Sequence, residues 1–250
     1  MATAAAALGF ADWHSTMVFL HVLTSIISMG AGAFPIIVRN GKSYHRTVGK
    51  IYIFGIFLVS LTGLLLIFDH FEPIRLILPL YALYAVFSSW RIIRHKGAPP
   101  TLIDWAFTLT SLLFAALLIG LGIFQGHALI DETTLLDTAM SLLIIACSIL
   151  LIRDGIYDII AHLYPRLRRQ WWLYSHLERM VSSYIALWTG FMIHTVSNWV
   201  PTPYVYIAWV IPGSIGWVFS FFYILHRKRQ KAGLPPLLMQ LKGRVRLLSG

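Results

Sequence analysis

The chain has 250 residues, of which 58% are hydrophobic and 12% charged, and its formal net charge is +10. A soluble domain is about a quarter charged, so this composition excludes an ordinary soluble fold and points to a bilayer. The basic residues lie between apolar runs, which fits membrane topology and anionic lipid and argues against nucleic acid.

The opening segment, MATAAAALGFADWH, has no Lys or Arg and so lacks the basic region of a signal peptide. It is expected to stay on the protein. Apolar runs then predict seven spans, about 16–38, 45–68, 74–93, 102–125, 136–163, 172–197 and 204–226. Span one carries a stripe of His21, Ser25, Ser28 and Gly32 near one helical face, where small side chains let a neighbouring helix approach. Pro79 and Pro212 fall inside spans three and seven, where kinks are tolerated if neighbours satisfy the freed carbonyls. The single Cys147 lies mid-span and is expected to pack inertly. Pro165 is expected to stop span five, with a basic turn before span six. Trp171, Trp172, Trp199 and Tyr204 near span ends read as interfacial anchors.

The expected fold is all-α: an integral membrane seven-helix bundle over residues 1–226, followed by a basic tail over 227–250. Orientation follows from the basic residues. Arg39, Lys42, Arg46, Lys50, Arg91, Arg94, Lys96, Arg166, Arg168, Arg169 and the tail define one side. The alternate loops hold Arg75 with Asp69, Glu72, Asp131, Glu132 and Asp137. The N-terminus is therefore expected outside and the C-terminus in the cytoplasm. Beyond Pro235 and Pro236 the tail reads either as a solvated positive segment or as a short interfacial helix on anionic lipid.

Most of the ionisable groups at membrane depth lie between Arg153 and Ser183. Asp154, Asp158 and His162 are spaced four and four, which puts them on one helix face. His176, Glu178 and Arg179 open the next span. Intramembrane polar groups are costly in hydrocarbon and are functional candidates by default. With the topology above, His45, His162 and His176 fall near the cytoplasmic face. His14, His21, His70, His127 and His194 fall toward the outer face. His95 and His226 read as polar loop residues.

His176 and His194 are eighteen residues apart, five whole turns, so they share one face at a separation of roughly 27 Å. His45 is expected to face His176 on the inside, and His21 to face His194 on the outside. Imidazoles on facing helices are how a bundle grips haem iron. There is no CxxCH for covalent attachment, so a b-type haem is the expectation. Quinone, which dissolves in the bilayer, is the expected exchange partner.

Two other readings stay open. His45, Asp154, Asp158, His162 and His176 offer ligands for a Zn or Fe ion, which would make a membrane hydrolase or oxidase. Alternatively, Asp154 and Asp158 pair with Arg153, Arg179 or Arg46 and only lock helices, as in a transport protein or an accessory subunit of a larger membrane complex. HExxH, GxSxG and nucleotide-binding glycine patterns are absent from the sequence.

Two segments carry a resemblance. In residues 21 to 63, His21 precedes an H-R-x-x-G-[RK]-x-Y motif made of His45, Arg46, Gly49, Lys50 and Tyr52. In residues 172 to 194, an H-x-x-R-M-x-x-x-Y-I-x-x-x-T-x-F pattern is matched by His176, Arg179, Met180, Tyr184, Ile185, Thr189 and Phe191. The chain thus resembles an uncharacterised family of prokaryotic multi-spanning membrane proteins of unknown function. The resemblance implies a bundle in a prokaryotic inner membrane and singles out His21, His45, Arg46 and His176. It implies no activity.

Overall fold

The computed structural model describes residues 10–37, 43–68, 73–95, 98–128, 135–195, 199–201, 204–231 and 233. Among them there are seven helices and no strand. They are α1 (Phe10–Ile37), α2 (Ser43–Leu66), α3 (Pro73–His95), α4 (Leu102–Ala128), α5 (Leu135–Leu163), α6 (Pro165–Thr195) and α7 (Val205–Lys231). Every expected span corresponds to one helix. Arg39, Lys42, Asp69, His70, Glu72, Lys96, Asp131, Glu132 and residues 234–250 of the tail lie outside the described residues.

Three local expectations change. Pro165 does not open a turn: α5 ends at Leu163, Tyr164 N–H donates to the Ile160 carbonyl at 2.8 Å, and Pro165 begins α6. Proline lacks an N–H and has a fixed φ, which suits the first position of a helix. The basic residues 166–169 are therefore helical. His95 and His226 are also helical, in the last turn of α3 and within α7. The third change is α7 itself, which continues past residue 226 to Lys231, because nothing in HRKRQK breaks a helix.

Four helical segments are each long and apolar enough to cross a membrane: Trp13–Pro35, Ser43–Leu66, Arg75–His95 and Leu102–Phe124. Large apolar side chains such as Phe19, Phe54, Leu113 and Phe222 point outward from the chain. An apolar exterior of this extent calls for lipid or a partner rather than water.

Helices α3 and α6 pack on each other at the centre. Around them α1 packs on α2, α4 on α5 and α7 on α6, and α3 also touches α2, α4 and α5. The central core joins Tyr52 and Ile56 of α2, Tyr81 and Tyr84 of α3, Leu151 of α5 and Leu187 of α6. A second cluster of Ile77, Leu118, Ile144 and Cys147 fills the space between α3, α4 and α5. Cys147 is buried there as a free thiol, as its apolar context implied.

The stripe on α1 sets how closely α1 and α2 approach. A Cβ added at Gly55 would collide with the hydroxyl of Ser28, so these two small residues are in close contact. A Cβ at Gly32 would fall 2.5 Å from the Tyr184 ring and 2.8 Å from the Tyr52 ring. Gly32 therefore exists where it does because two aromatic rings occupy the space a side chain would need.

Candidate functional site

The helices alternate in direction, so the starts of α1 and α3 meet the ends of α2 and α6 at one end of the bundle. There they enclose a cavity of about 440 Å³. That size lies within the usual range of ligand pockets, about 300–1,000 Å³. Each helix contributes a stripe at helical spacing: His14, His21 and Ser25 from α1, Ser60 and Gly63 from α2, Arg75 and Ala82 from α3, and Gly190 and His194 from α6. Ile26, Met29, Ile56, Val59, Leu78 and Leu187 make the walls apolar. Imidazoles and one guanidinium thus sit around an otherwise greasy space.

Residues His21 and His194, expected to face each other, both line this cavity. The His21 ring is held by α2. Its Nδ1 lies 3.0 Å from Thr62 Oγ1, and that hydroxyl lies 2.7 Å from the Leu58 carbonyl one turn back. The hydroxyl has one hydrogen and gives it to the carbonyl, so it accepts from His21 Nδ1–H. With that assignment of the proton, Nε2 carries the lone pair. Ser60 is buried at the cavity wall, and its hydroxyl has no hydrogen-bond partner among the described residues.

The other expected pair is also close. His45, in the first turn of α2, lies near enough to His176 of α6 for their charges to interact. His176 Nδ1 is 2.7 Å from Ser89 Oγ of α3, and that hydroxyl also reaches the His176 carbonyl at 3.1 Å. His45 Nδ1 is buried without a hydrogen-bond partner among the described residues. Two turns deeper, Tyr52 and Ser183 hydrogen bond at 2.8 Å and tie α2 to α6. Arg46 is exposed and takes no part in this cluster.

Asp154, Asp158 and His162 share a buried face of α5, as their spacing required. They do not converge on one point. Arg179 of α6 grips Asp158 with both branches: Nη1 donates to Oδ2 at 3.0 Å, and Nη2 lies 2.8 Å from Oδ1. Tyr84 donates to Asp158 Oδ2 at 2.7 Å. The same Nη2 reaches the Asp154 carbonyl at 3.2 Å. Arg153 pairs with Asp154 Oδ1 at 2.7 Å and with Glu178 at 2.9 Å. His162 instead meets Thr108 Oγ1 at 3.3 Å and the Trp105 ring at 4.9 Å.

The metal set of His45, Asp154, Asp158, His162 and His176 is therefore not assembled. Among the described residues no group of three or more His, Cys, Asp or Glu is placed to hold a metal ion. The reason is competition: the guanidinium and hydroxyl groups that fold the bundle already occupy both oxygens of Asp158 and one of Asp154. The ion pairs join Asp158 to Arg179 and Asp154 to Arg153, two of the three arginines considered from the sequence.

Several contributors were not singled out by the sequence. Arg91 of α3 bonds Asp104 of α4 twice, at 2.7 and 2.9 Å. Asp104 also accepts from the Thr101 N–H at 2.7 Å, in a cap at the start of α4. Arg91 read as a marker of sidedness; an opposite charge thirteen residues on, across a short connection, was the available signal. Thr62, Ser89 and Ser60 are hydroxyls among several in apolar helices, and only the fold shows which ones meet a histidine or a cavity. No family model, curated protein or solved structure matches this sequence.

Proposed function

We propose that this chain is an integral membrane redox protein with seven spans, its N-terminus outside and its C-terminus in the cytoplasm, as in a prokaryotic inner membrane. In this reading the cavity holds one b-type haem between His21 and His194. The observation that carries it is the His21–Thr62–Leu58 chain, which presents the Nε2 lone pair of a histidine lining a cavity of about 440 Å³. Orienting an imidazole through its second nitrogen is what a ligating histidine needs.

The residues present fit the group. His21 and His194 supply the two imidazoles from α1 and α6. Arg75 and His14 supply positive or hydrogen-bonding partners for the propionates. Gly63 and Gly190 leave the walls flat. When bound, haem supplies a one-electron couple at the iron. The walls are largely apolar, and the Thr62 hydroxyl holds the His21 ring in place.

The test is an absorption spectrum of the protein expressed with ample haem. A Soret band that His21→Ala abolishes is the expected result. A colourless protein overturns haem binding. One observation favours a second reading, a quinone head in the same cavity: Ser60, a lining residue, carries a buried hydroxyl with no hydrogen-bond partner among the described residues. Organic extraction of the purified protein distinguishes the two, since a retained quinone with no Soret band supports only the second.

A further inference from the structure

At the end of the bundle opposite the large cavity, α3, α4 and α5 enclose a second, much smaller space of about 20 Å³. Water needs about 10–15 Å³ on this measure and two to four polar partners. The lining offers more than that: Tyr84, Ser88, Asp104, Thr108, Asp158 and His162, with Arg91 beside them. No ligand larger than water fits.

Its position gives the space a meaning. On one side stands the Arg91–Asp104 pair, which shares its bonds with the exposed Thr101 at the α3–α4 connection. On the other stands Asp158, fixed by Arg179 and Tyr84. Among the described residues no hydrogen bond joins one ion pair to the other; the space lies between them. His162, bonded to Thr108, closes the third side.

We propose that this space is a built water site, and that its water joins the two ion pairs into one hydrogen-bonded chain from the exposed Thr101 to buried Asp158. The chain of donors and acceptors then runs Thr101, Asp104, water, Tyr84 and Asp158. A chain of this kind gives protons a route from the end of the bundle to a carboxylate in its interior. The site is separate from the large cavity and does not depend on what that cavity holds.

Three tyrosines make the experiment internally controlled. Tyr52, Tyr81 and Tyr84 are 3%, 4% and 3% exposed, and of the three only Tyr84 borders the small space. Radiolytic hydroxyl-radical footprinting of the full chain labels buried side chains that touch bound water. Tyr84 is expected to be oxidised several times faster than Tyr52 and Tyr81. Ser88→Val, which replaces a lining hydroxyl with two methyl groups, is expected to bring Tyr84 down to the level of the other two. Equal protection of all three tyrosines in the unaltered protein overturns the proposal, as does Tyr84 labelling that Ser88→Val leaves unchanged. Infrared spectroscopy gives a second readout on the same samples. The Tyr84 hydroxyl is expected to exchange into deuterium promptly in the unaltered protein and slowly in Ser88→Val; slow exchange in both overturns the proton route.

Discussion

Replacing Asp158 with Ala tests whether the buried ion pair holds α5 to α6. The side chains of Arg179 and Asp158 are only 4% and 8% exposed. Removing the carboxylate strands a guanidinium that keeps a single described bond, 3.2 Å to the Asp154 carbonyl. Breaking a buried pair from one side typically costs about 3–5 kcal/mol, because the remaining charge stays desolvated. Asp154 Oδ2 has no hydrogen-bond partner among the described residues and can take up part of that charge, which places the expected cost near the low end, about 3 kcal/mol. Against a typical stability of about 5–15 kcal/mol, this is a large fraction. Reversible unfolding in bicelles measures it. The companion variant Asp158→Leu with Arg179→Met removes both charges and is expected to recover most of the loss, as apolar replacements of buried pairs do. A cost under about 1 kcal/mol for Asp158→Ala is what an exposed pair would give and would mean that this pair does not hold α5 to α6. So would a double variant no better than the single one.

Three further outcomes follow from named contacts. Gly55→Ala drives a methyl group into Ser28 and is expected to cost about 1–3 kcal/mol by overpacking, whereas Gly49→Ala meets open space and is expected to be neutral or slightly stabilising in the same unfolding assay. Asp104→Ala removes a partly accessible pair and a helix cap, so its cost is expected near 1–2 kcal/mol, clearly below that of Asp158→Ala. Thr62→Val keeps the shape of the side chain but frees the His21 ring, and is expected to weaken haem retention about 10–100-fold in a titration with haem while leaving the unfolding midpoint nearly unchanged.

Helix existence was legible because hydropathy writes it directly. Each apolar run of span length became a helix, and the extents differ mainly at ends where polar residues continue a helix beyond the apolar stretch, as at His226 to Lys231. Pro165 was misread because proline marks a stop for the helix before it and an ideal start for the one after it. The four-residue spacing of Asp154, Asp158 and His162 correctly gave one buried face. It could not say that Asp158 would find Arg179 of α6 while His162 found Thr108 of α4, since pairing between helices leaves no local pattern. That His21 and His194 line one cavity followed from topology and helical phase together. The size of that cavity did not, because a void arises from the small residues Gly63, Ala82, Ala186 and Gly190 on three separate helices.

The most direct measurement of the central claim is the oxidised and dithionite-reduced absorption spectrum of gently purified protein, taken together with that of His21→Ala and His194→Ala. A Soret band and sharp reduced α-bands that both substitutions abolish while the protein stays folded are expected. A spectrum without haem bands from cells supplied with haem, or bands that survive both substitutions, contradicts that claim.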